Sequence, residues 1–291
     1  MLIDVTSDLH VDFWQGHANS VDWKSLKNPG SNVIIIDGDT SNYHDLVVET
    51  VKRAREYYEF VLVLDGNHEH YESTIVQGMT VYESMRKLER ELTEVGAIFL
   101  DGHRTLLLDD VLFIGANGWY DFAFGAHEYT AQQSFTKWLG VKGSDGMWKG
   151  GNNDANLNFG LGGPVAYARA DANALTNRVI EAQNDDRVNH IVVVTHTLSK
   201  DHILAWDRRD ATNGHYGNSL MRAVRDADTK NKIKVMINGH THNPIDQIQH
   251  GIRYVCSPRG YEFACRNDDF HLLQIDVCEQ GYASAFGEIE R

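Results

Sequence analysis

The chain has 291 residues, of which 42% are hydrophobic and 23% are charged, which is the balance of an ordinary globular protein. This length allows one large α/β domain or two small ones, and we treat residues 1–291 as a single domain. The net charge of −14 argues against a broad nucleic-acid-binding face, because phosphate backbones are held by clusters of Lys and Arg.

The three cysteines, Cys256, Cys265 and Cys278, have no metal-like spacing and are an odd number, so a disulfide framework is not expected. The sequence begins directly with a strand-like run and shows no signal peptide. Its longest apolar runs, such as residues 33–36 and 191–194, are too short to span a bilayer. These features predict a cytoplasmic protein with no membrane partner.

The first part of the chain alternates between two patterns. Apolar, β-branched runs predict buried strands over residues 2–6, 32–36 and 60–64. Helical spacing predicts helices over residues 43–58 and 82–95, the second of which ends at Gly96. Two short runs, residues 104–108 and 111–115, then flank Asp109 and Asp110 and predict a hairpin.

Residues 119–163 differ from the rest of the chain. They are rich in glycine, asparagine and aromatic residues and have little periodicity. Long irregular segments inside compact domains are often functional. Two interpretations stay open at this point, a long surface excursion and a lid over the functional site.

The alternation resumes after this segment. Helices are predicted over residues 165–183 and 219–227, and buried strands over residues 190–195 and 233–238. Two further strands, over residues 252–256 and 270–277, predict hairpins or a second mixed sheet packed on the first. The whole pattern predicts an α/β layered fold.

Metal-ligand residues cluster immediately after the five buried strands. The candidate ligands are Asp8, His10, Asp39, Asn67, His196, His240 and His242. In open α/β sheets, ligands bind beyond the carboxyl ends of the strands, so these separate patches would meet at one edge. Together they supply enough groups for two metal ions side by side, which suggests phosphate-ester hydrolysis.

The spacing within the patches indicates individual roles. Asp8 and His10 are two residues apart, and in an extended segment both side chains would lie on one side. Asp39 follows Gly38, which permits a sharp exit from the strand. Its two carboxylate oxygens could bridge two cations, and its neighbour Asp37 is favoured as a supporting group at the strand end.

The remaining patches offer neutral ligands. Asn67 supplies a carbonyl oxygen, and His68 can then face the substrate instead of the metal, although the same residues would also suit a capped turn. A single histidine such as His196 is more often a core residue. His240 and His242, freed by Gly239 after a buried strand, are the most specific pair. Imidazoles with carboxylates and an amide suit Mn, Fe or Zn.

Taken in order, the Asp-x-His, Gly-Asp, Gly-Asn-His-Glu, His and Gly-His-x-His blocks over residues 8–242 resemble the calcineurin-like metallophosphoesterase superfamily. The resemblance implies a four-layer α/β/β/α sandwich with two mixed β-sheets and a binuclear metal site at the carboxyl ends of the strands. Segments 7–13, 119–122 and 257–261 also resemble bacterial and phage-type members.

The resemblance also implies residue roles. One divalent ion would be bound by Asp8, His10, Asp39 and His242. The other would be bound by Asp39, Asn67, His196 and His240, with Asp39 bridging. His68 would take the role of general acid.

The sequence departs from one branch of this superfamily. Eukaryotic Ser/Thr phosphatases follow Gly-Asp with Asp-Arg-Gly, whose arginine holds phosphate, whereas Thr40, Ser41 and Asn42 stand here. This argues against protein dephosphorylation. Arg259 or Arg253 could contact the phosphate instead, and either is equally consistent with a packing or surface role. His202 and His215 could reach the cleft, although a surface position is favoured.

The expected function is hydrolysis of a small phosphoester by a water that two divalent ions activate. One alternative is a phosphodiesterase acting on a cyclic nucleotide or on nucleic acid, of which the acidic charge disfavours the second. The other is a metal-bound binding scaffold, which is disfavoured because every expected ligand is present.

Overall fold

The structure is a computed structural model that describes residues 1–125, 129–201, 210–264 and 270–278. Its first sheet has five strands: β1 (Leu2–Ser7), β2 (Val33–Asp37), β3 (Phe60–Leu64), β4 (Ile98–Phe99) and β13 (Leu273–Asp276). The order is β13-β1-β2-β3-β4. Strands β1 to β4 are parallel, and β13 pairs antiparallel with β1.

The second sheet has six strands: β5 (Leu106–Leu108), β6 (Val111–Ala116), β9 (His190–Thr195), β10 (Ile233–Asn238), β11 (Ile245–Gln249) and β12 (Ile252–Cys256). The order is β11-β12-β10-β9-β6-β5. Its four central strands are parallel, and the edge strands β5 and β11 are antiparallel to their neighbours. Both sheets are therefore mixed.

The described helices are α1 (Trp23–Leu26), α2 (His44–Ala54), α3 (Val81–Glu94), α4 (Ala131–Leu139), α5 (Gly163–Gln183) and α6 (Arg222–Asp226). Helix α3 begins at a capping box in which Thr80 and Glu83 satisfy each other's backbone N–H groups. None of the helices among the described residues is both long enough and apolar enough to cross a membrane.

Alternation along the strands builds four layers. Val33 and Ile35 of β2 pack against strands of the second sheet, whereas Ile34 and Ile36 point to the other face and pack against α2 and α3. In the second sheet, Met236 of β10 packs outward against α5 and α6. The arrangement is α/β/β/α with two mixed sheets, which confirms the predicted fold class.

The structure corrects the description of residues 119–163. The segment includes α4, a short hairpin of β7 (Val141–Lys142) and β8 (Trp148–Lys149), and its own buried aromatic cluster. That cluster contains Trp119, Tyr120, Phe122, Trp138 and Phe159, joined by Val81 at the start of α3. The segment was predicted as irregular because its aromatic residues do not recur at helical spacing over any long stretch.

Candidate metal centre

Five loops meet at one edge of the molecule, and each leaves the carboxyl end of a strand, namely β1, β2, β3, β9 or β10. Backbone hydrogen bonds join these loops directly. Asp8 N donates to Gly38 O at 3.0 Å, and Gly239 N donates to His196 O at 2.9 Å. The first bond joins the loops after the neighbouring strands β1 and β2 of one sheet. The second joins the loops after the neighbouring strands β9 and β10 of the other sheet. The side chains on these loops are therefore held in a fixed relation.

The predicted carboxylate and imidazole ligands come together in two groups, in each of which the ligand atoms lie within 4.8 Å of one another. The first group contains Asp8, His10, Asp39 and His242. The second contains Asp39, His196 and His240. Asp39 belongs to both groups, so its position allows one carboxylate to serve two adjacent ions.

The first group is closely packed. His10 Nε2 lies 2.9 Å from His242 Nε2, and His242 Nε2 lies 3.4 Å from Asp8 Oδ1. His10 Nε2 lies 3.8 Å from Asp39 Oδ2. Burial lowers the pKa of His10 to about 3, which keeps its imidazole neutral, the form that binds metal.

In the second group, backbone carbonyls fix the orientation of two imidazoles. His196 Nδ1 donates to Asp37 O at 2.9 Å, and His240 Nε2 donates to His215 O at 3.2 Å. The opposite ring nitrogens, His196 Nε2 and His240 Nδ1, then face the centre and could bind a metal ion in their deprotonated form. Asn67 Oδ1 lies 3.0 Å from His240 Nδ1, so the predicted amide ligand belongs to the same group.

These atoms fit a divalent cation. His196 Nε2 is buried and has no hydrogen-bond partner among the described residues, and it faces Asp39 Oδ2 at 3.4 Å. This approach of the two atoms requires positive charge between them, which either a proton on His196 or a bound cation supplies. Although burial opposes ionisation, the positive charge of protonated His196 holds the pKa of Asp39 well below its usual range, and a bound cation would supply positive charge at the same place. The donor set of imidazoles, carboxylates and one amide suits a transition-metal ion or zinc.

The backbone of the site is unusual. Five of the seven candidate ligands adopt left-handed conformations: Asp8 (φ 50°), His10 (φ 43°), Asp39 (φ 52°), His240 (φ 65°) and His242 (φ 54°). Such conformations are uncommon for residues other than glycine and cost about 1–3 kcal/mol each. Asp8 and His10 therefore do not lie on an extended segment, as their spacing suggested. Their side chains meet because the chain turns at both residues.

Gly66, after β3, permits a close approach between two loops. A Cβ at this position would overlap Asp39 Oδ1 and would also crowd Asp39 N. Any larger residue would displace the carboxylate that belongs to both ligand groups. The glycine of the Gly-Asn-His-Glu block is therefore required by the position of Asp39.

Glu69 is a site residue whose role the sequence did not reveal. Its buried carboxylate accepts hydrogen bonds from Gly66 N at 2.7 Å, Thr40 N at 2.6 Å and Asp39 N at 3.0 Å. It thereby connects the loop after β2 to the loop after β3 and fixes the backbone on both sides of Asp39. The conspicuous signal in the sequence was the histidine that precedes it.

Asp154 is a second residue that the sequence did not single out. It lies in the 119–163 segment, is fully buried and accepts a hydrogen bond from Asn67 Nδ2 at 3.1 Å. The Asp154 carboxylate also accepts hydrogen bonds from Tyr71 Oη at 2.5 Å and from Tyr120 Oη at 3.1 Å. Because Asp154 accepts from the amide nitrogen, the amide oxygen of Asn67 is turned toward His240. Through these contacts the 119–163 segment forms part of the wall of the site.

His68 lies between the ligand groups and solvent. Its Nδ1 is 2.8 Å from Asn42 Oδ1, and its Nε2 is 3.9 Å from Asp39 Oδ2. Tyr261 Oη lies 3.2 Å from the same Nε2. Asn42 is one of the three residues that replace the Asp-Arg-Gly stretch. The Asn42 amide therefore orients the His68 ring, and the Nε2 atom of the ring faces the candidate metal centre.

Arg259 and Arg253 are engaged elsewhere. The Arg259 guanidinium lies 3.9 Å from the centroid of the Trp14 ring and donates to Ser20 Oγ at 2.8 Å. Arg253 makes two hydrogen bonds of 2.7 Å with the Asp246 carboxylate. These contacts favour packing roles, and they give no support to the prediction that Arg259 contacts substrate.

Two further expectations concern histidines and Asp37. His215 was expected at the surface, but it is 6% exposed, and its carbonyl orients His240. His202 lies outside the described residues. Asp37 is the last residue of β2. Its backbone carbonyl accepts a hydrogen bond from the His196 ring and so helps to orient a candidate ligand.

The geometry can be compared with known proteins. A sequence profile of the calcineurin-like phosphoesterase family matches residues 1–244. No curated protein matches the sequence. A phosphopantetheinyl hydrolase from Mycobacterium tuberculosis has a similar structure, with a TM-score of 0.71, 18% identity, and coverage of 97% of this chain and 98% of that one.

A dimetal phosphatase from Danio rerio is also similar, with a TM-score of 0.51, 13% identity, and coverage of 94% of this chain and 91% of that one. At these identities the two structures show a shared fold. The family match covers most of the chain and includes all five ligand-bearing loops. The chain belongs to the calcineurin-like phosphoesterase family and is a metallophosphoesterase, a hydrolase of phosphoester bonds that uses a dimetal centre.

Proposed function

We propose that the protein hydrolyses small phosphoesters, as a monoesterase, a diesterase or both, with His68 as general acid. The observation that carries this proposal is the shared position of Asp39 in two adjacent ligand groups, with His68 beside it. That arrangement leaves a protonatable group at the edge of a site for two cations, where a phosphoester could lie.

The ligand assignment follows the two groups. Asp8, His10, Asp39 and His242 would hold one ion, and Asp39, Asn67, His196 and His240 would hold the other. Two divalent ions supply positive charge to phosphoryl oxygens and a nucleophilic water at neutral pH. We propose Mn, Fe or Zn on the chemistry of the donor set.

His68 is proposed to protonate the departing oxygen. Asn42 Oδ1 accepts a hydrogen bond from Nδ1, so this nitrogen keeps its proton and Nε2 is the atom that can deliver one. The backbone N–H of His68 donates to Asp39 Oδ1 at 2.9 Å, which fixes the ring relative to the shared carboxylate. A positioned acid of this kind typically contributes about 10²–10⁴-fold to the rate.

Three observations bear on the substrate class. The absence of an arginine from positions 40–42 supports a general phosphoesterase over a protein phosphatase. Phosphopantetheinyl esters enter the list of test substrates because of the structural neighbour's activity. The acidic net charge of −14 supports small substrates over nucleic acid.

A substrate panel with metal-reconstituted protein tests the proposal. The panel contains 4-nitrophenyl phosphate, bis(4-nitrophenyl) phosphate, an alkyl phosphate, a cyclic nucleotide and a phosphopantetheinyl ester. We expect metal-dependent hydrolysis of at least one ester. A protein that binds two ions and hydrolyses none of them would instead support the scaffold alternative.

The His68→Gln variant tests the acid. We expect turnover of an alkyl phosphate to fall by about 10²–10⁴-fold, while 4-nitrophenyl phosphate loses less, because nitrophenolate leaves without a proton. The metal content should stay at the wild-type value. His103→Gln, at an exposed histidine between β4 and β5, is the matched control. Equal losses on both esters would contradict the assignment.

A further inference from the structure

Three aromatic residues form a continuous strip at the rim of the candidate metal centre. The Tyr261 and Phe263 rings are nearly parallel, with centroids 5.1 Å apart and planes 7° apart. The Phe13 ring meets Tyr261 edge-on at 5.0 Å. We call Phe13, Tyr261 and Phe263 the aromatic strip. It is built from two distant segments, the turn after β1 and the segment after β12.

The strip is accessible to solvent. Phe263 is 82% exposed and Phe13 is 41% exposed. Single exposed aromatic residues are ordinary, but several in mutual contact beside a functional centre are characteristic of a binding surface. Phe13 and Phe263 are therefore not explained as residues of the protein's buried core.

The strip is in direct contact with the proposed catalytic groups. The Tyr261 ring stacks on the His10 ring, with centroids 4.3 Å apart, and lies 4.8 Å from His242. Its hydroxyl lies 3.2 Å from His68 Nε2. A group that leaves the phosphorus and takes a proton from this nitrogen would emerge against Tyr261. The strip therefore lies on the leaving-group side of the site.

We propose that the aromatic strip binds a planar aromatic ring in the leaving group of the phosphoester. This inference rests on the proposed function and adds a substrate class to it. The exposed face of Phe263 continues the stack that begins at His10 and Tyr261, so a planar ring can extend it. Offset stacking of this kind gives an aromatic ring an advantage over a saturated ring of similar size.

Two esters separate the effect of aromatic stacking on the rate from the effects of ring size and leaving-group basicity. Benzyl phosphate and cyclohexylmethyl phosphate both release primary alcohols, and their rings are similar in size. We expect kcat/KM for the benzyl ester to exceed that for the cyclohexylmethyl ester by about 3–10-fold, the range that aromatic pairs give. The Phe263→Leu variant should bring this ratio close to one.

Control variants and a second readout complete the experiment. Tyr82→Leu removes an exposed aromatic ring on α3, outside the strip, and should keep the wild-type ratio. The affinities of the metal-loaded protein for benzylphosphonate and cyclohexylmethylphosphonate, measured by calorimetry, give the same comparison without turnover. They therefore decide the inference even if neither ester is hydrolysed.

The outcomes distinguish the two proposals. Hydrolysis of both esters with equal kcat/KM, or a benzyl preference that survives Phe263→Leu, would overturn the aromatic strip and leave the phosphoesterase function intact. Absence of hydrolysis of these two esters and of every ester in the substrate panel, together with a benzylphosphonate preference that Phe263→Leu abolishes, would overturn the function and keep the strip. Equal phosphonate affinities would overturn the strip.

Discussion

At the scale of single residues, the sequence identified the candidate ligands that the fold brings together, but it did not predict how they are oriented. Every candidate ligand lies in one of the two groups or, for Asn67, in contact with one. The left-handed backbone at Asp8 and His10 was not foreseen, because a strand followed by two polar residues reads as extended. Strain of this kind depends on contacts between loops, which no local pattern records.

Supporting residues were harder to find than ligands. Glu69 acts through three backbone N–H groups, and Asp154 acts through Asn67 from 87 positions along the chain. Carboxylates in these roles have no characteristic spacing relative to the residues that they hold. The unusual composition of the 119–163 segment indicated a region of interest but did not indicate Asp154 itself.

Asp154→Ala should weaken one ion much more than the other. Without the carboxylate, the amide of Asn67 is free to rotate, and the group with His196 and His240 loses an oriented oxygen. Partners in this position typically affect metal affinity by about 10–100-fold. We expect competitive chelator titration to show one weakened ion and one unchanged ion per chain.

Asp145→Ala is the matched control, since Asp145 is an exposed carboxylate of the same segment that pairs with Lys149. It should leave both affinities at their wild-type values. Equal weakening of both ions in Asp154→Ala would mean that Asp154 supports the fold of the whole centre and does not orient Asn67.

At the scale of elements, strands buried on both faces were the most predictable. The limits of β3, β9, β10 and β12 agree with the predicted ranges, because continuous β-branched runs have few alternatives. Several of the described elements were not predicted, among them β4, β11 and α4. Strand β4 has two residues, β11 is a largely polar edge strand, and α4 lies within the aromatic segment. Each is stabilised by neighbours more than by its own sequence.

Helix α5 is joined to the segment after β6 by the carboxyl of the half-buried residue Asp171. Asp171 accepts a hydrogen bond from Gly118 N at 2.9 Å, next to Trp119 of the aromatic cluster. Burial raises the pKa of Asp171 to about 7. The folded chain therefore keeps a proton that the unfolded chain releases above about pH 4. The resulting stability is complete below that pH and is lost as the pH rises through 7.

Asp171→Asn should remove this pH dependence. The amide stays neutral and can still accept from Gly118 N. Through Asp171 the free energy of unfolding of the wild type should fall by about 3–4 kcal/mol between pH 4 and pH 8, and the variant should lack this fall. Denaturant unfolding of both proteins at several pH values gives the difference, in which other titrating groups cancel. Asp186→Asn, at an exposed carboxylate after α5, should retain the wild-type slope. Parallel curves for Asp171→Asn and wild type would refute this.

At the scale of the whole molecule, the site joins the two sheets. Its ligands come from loops after β1, β2 and β3 in one sheet and after β9 and β10 in the other. The apolar layer between the sheets lies directly below, with Val5 and Ile35 facing Val194 and Ile237. The prediction of one convergent site succeeded because parallel strands place their carboxyl ends at a common edge.

Removal of metal should therefore destabilise the whole chain. An ion that binds only the folded protein stabilises it by about 2.7 kcal/mol at a concentration 100 times its Kd. For a domain of this size, 1 kcal/mol corresponds to about 2–4 °C in Tm. We expect chelation of both ions to lower Tm by roughly 5–20 °C, measured by calorimetry, and added Mn to restore it. A Tm that chelation leaves unchanged would show that the centre contributes nothing to folding.

Asp39 is proposed to join the two ion sites into one centre. The most direct test is the metal content per chain of reconstituted wild-type protein and of Asp39→Asn, measured by mass spectrometry after removal of free metal. We predict two ions in the wild type and loss of both in the variant, because its amide offers one oxygen where two are needed. Retention of one tightly bound ion, or of both, in Asp39→Asn would contradict a shared carboxylate.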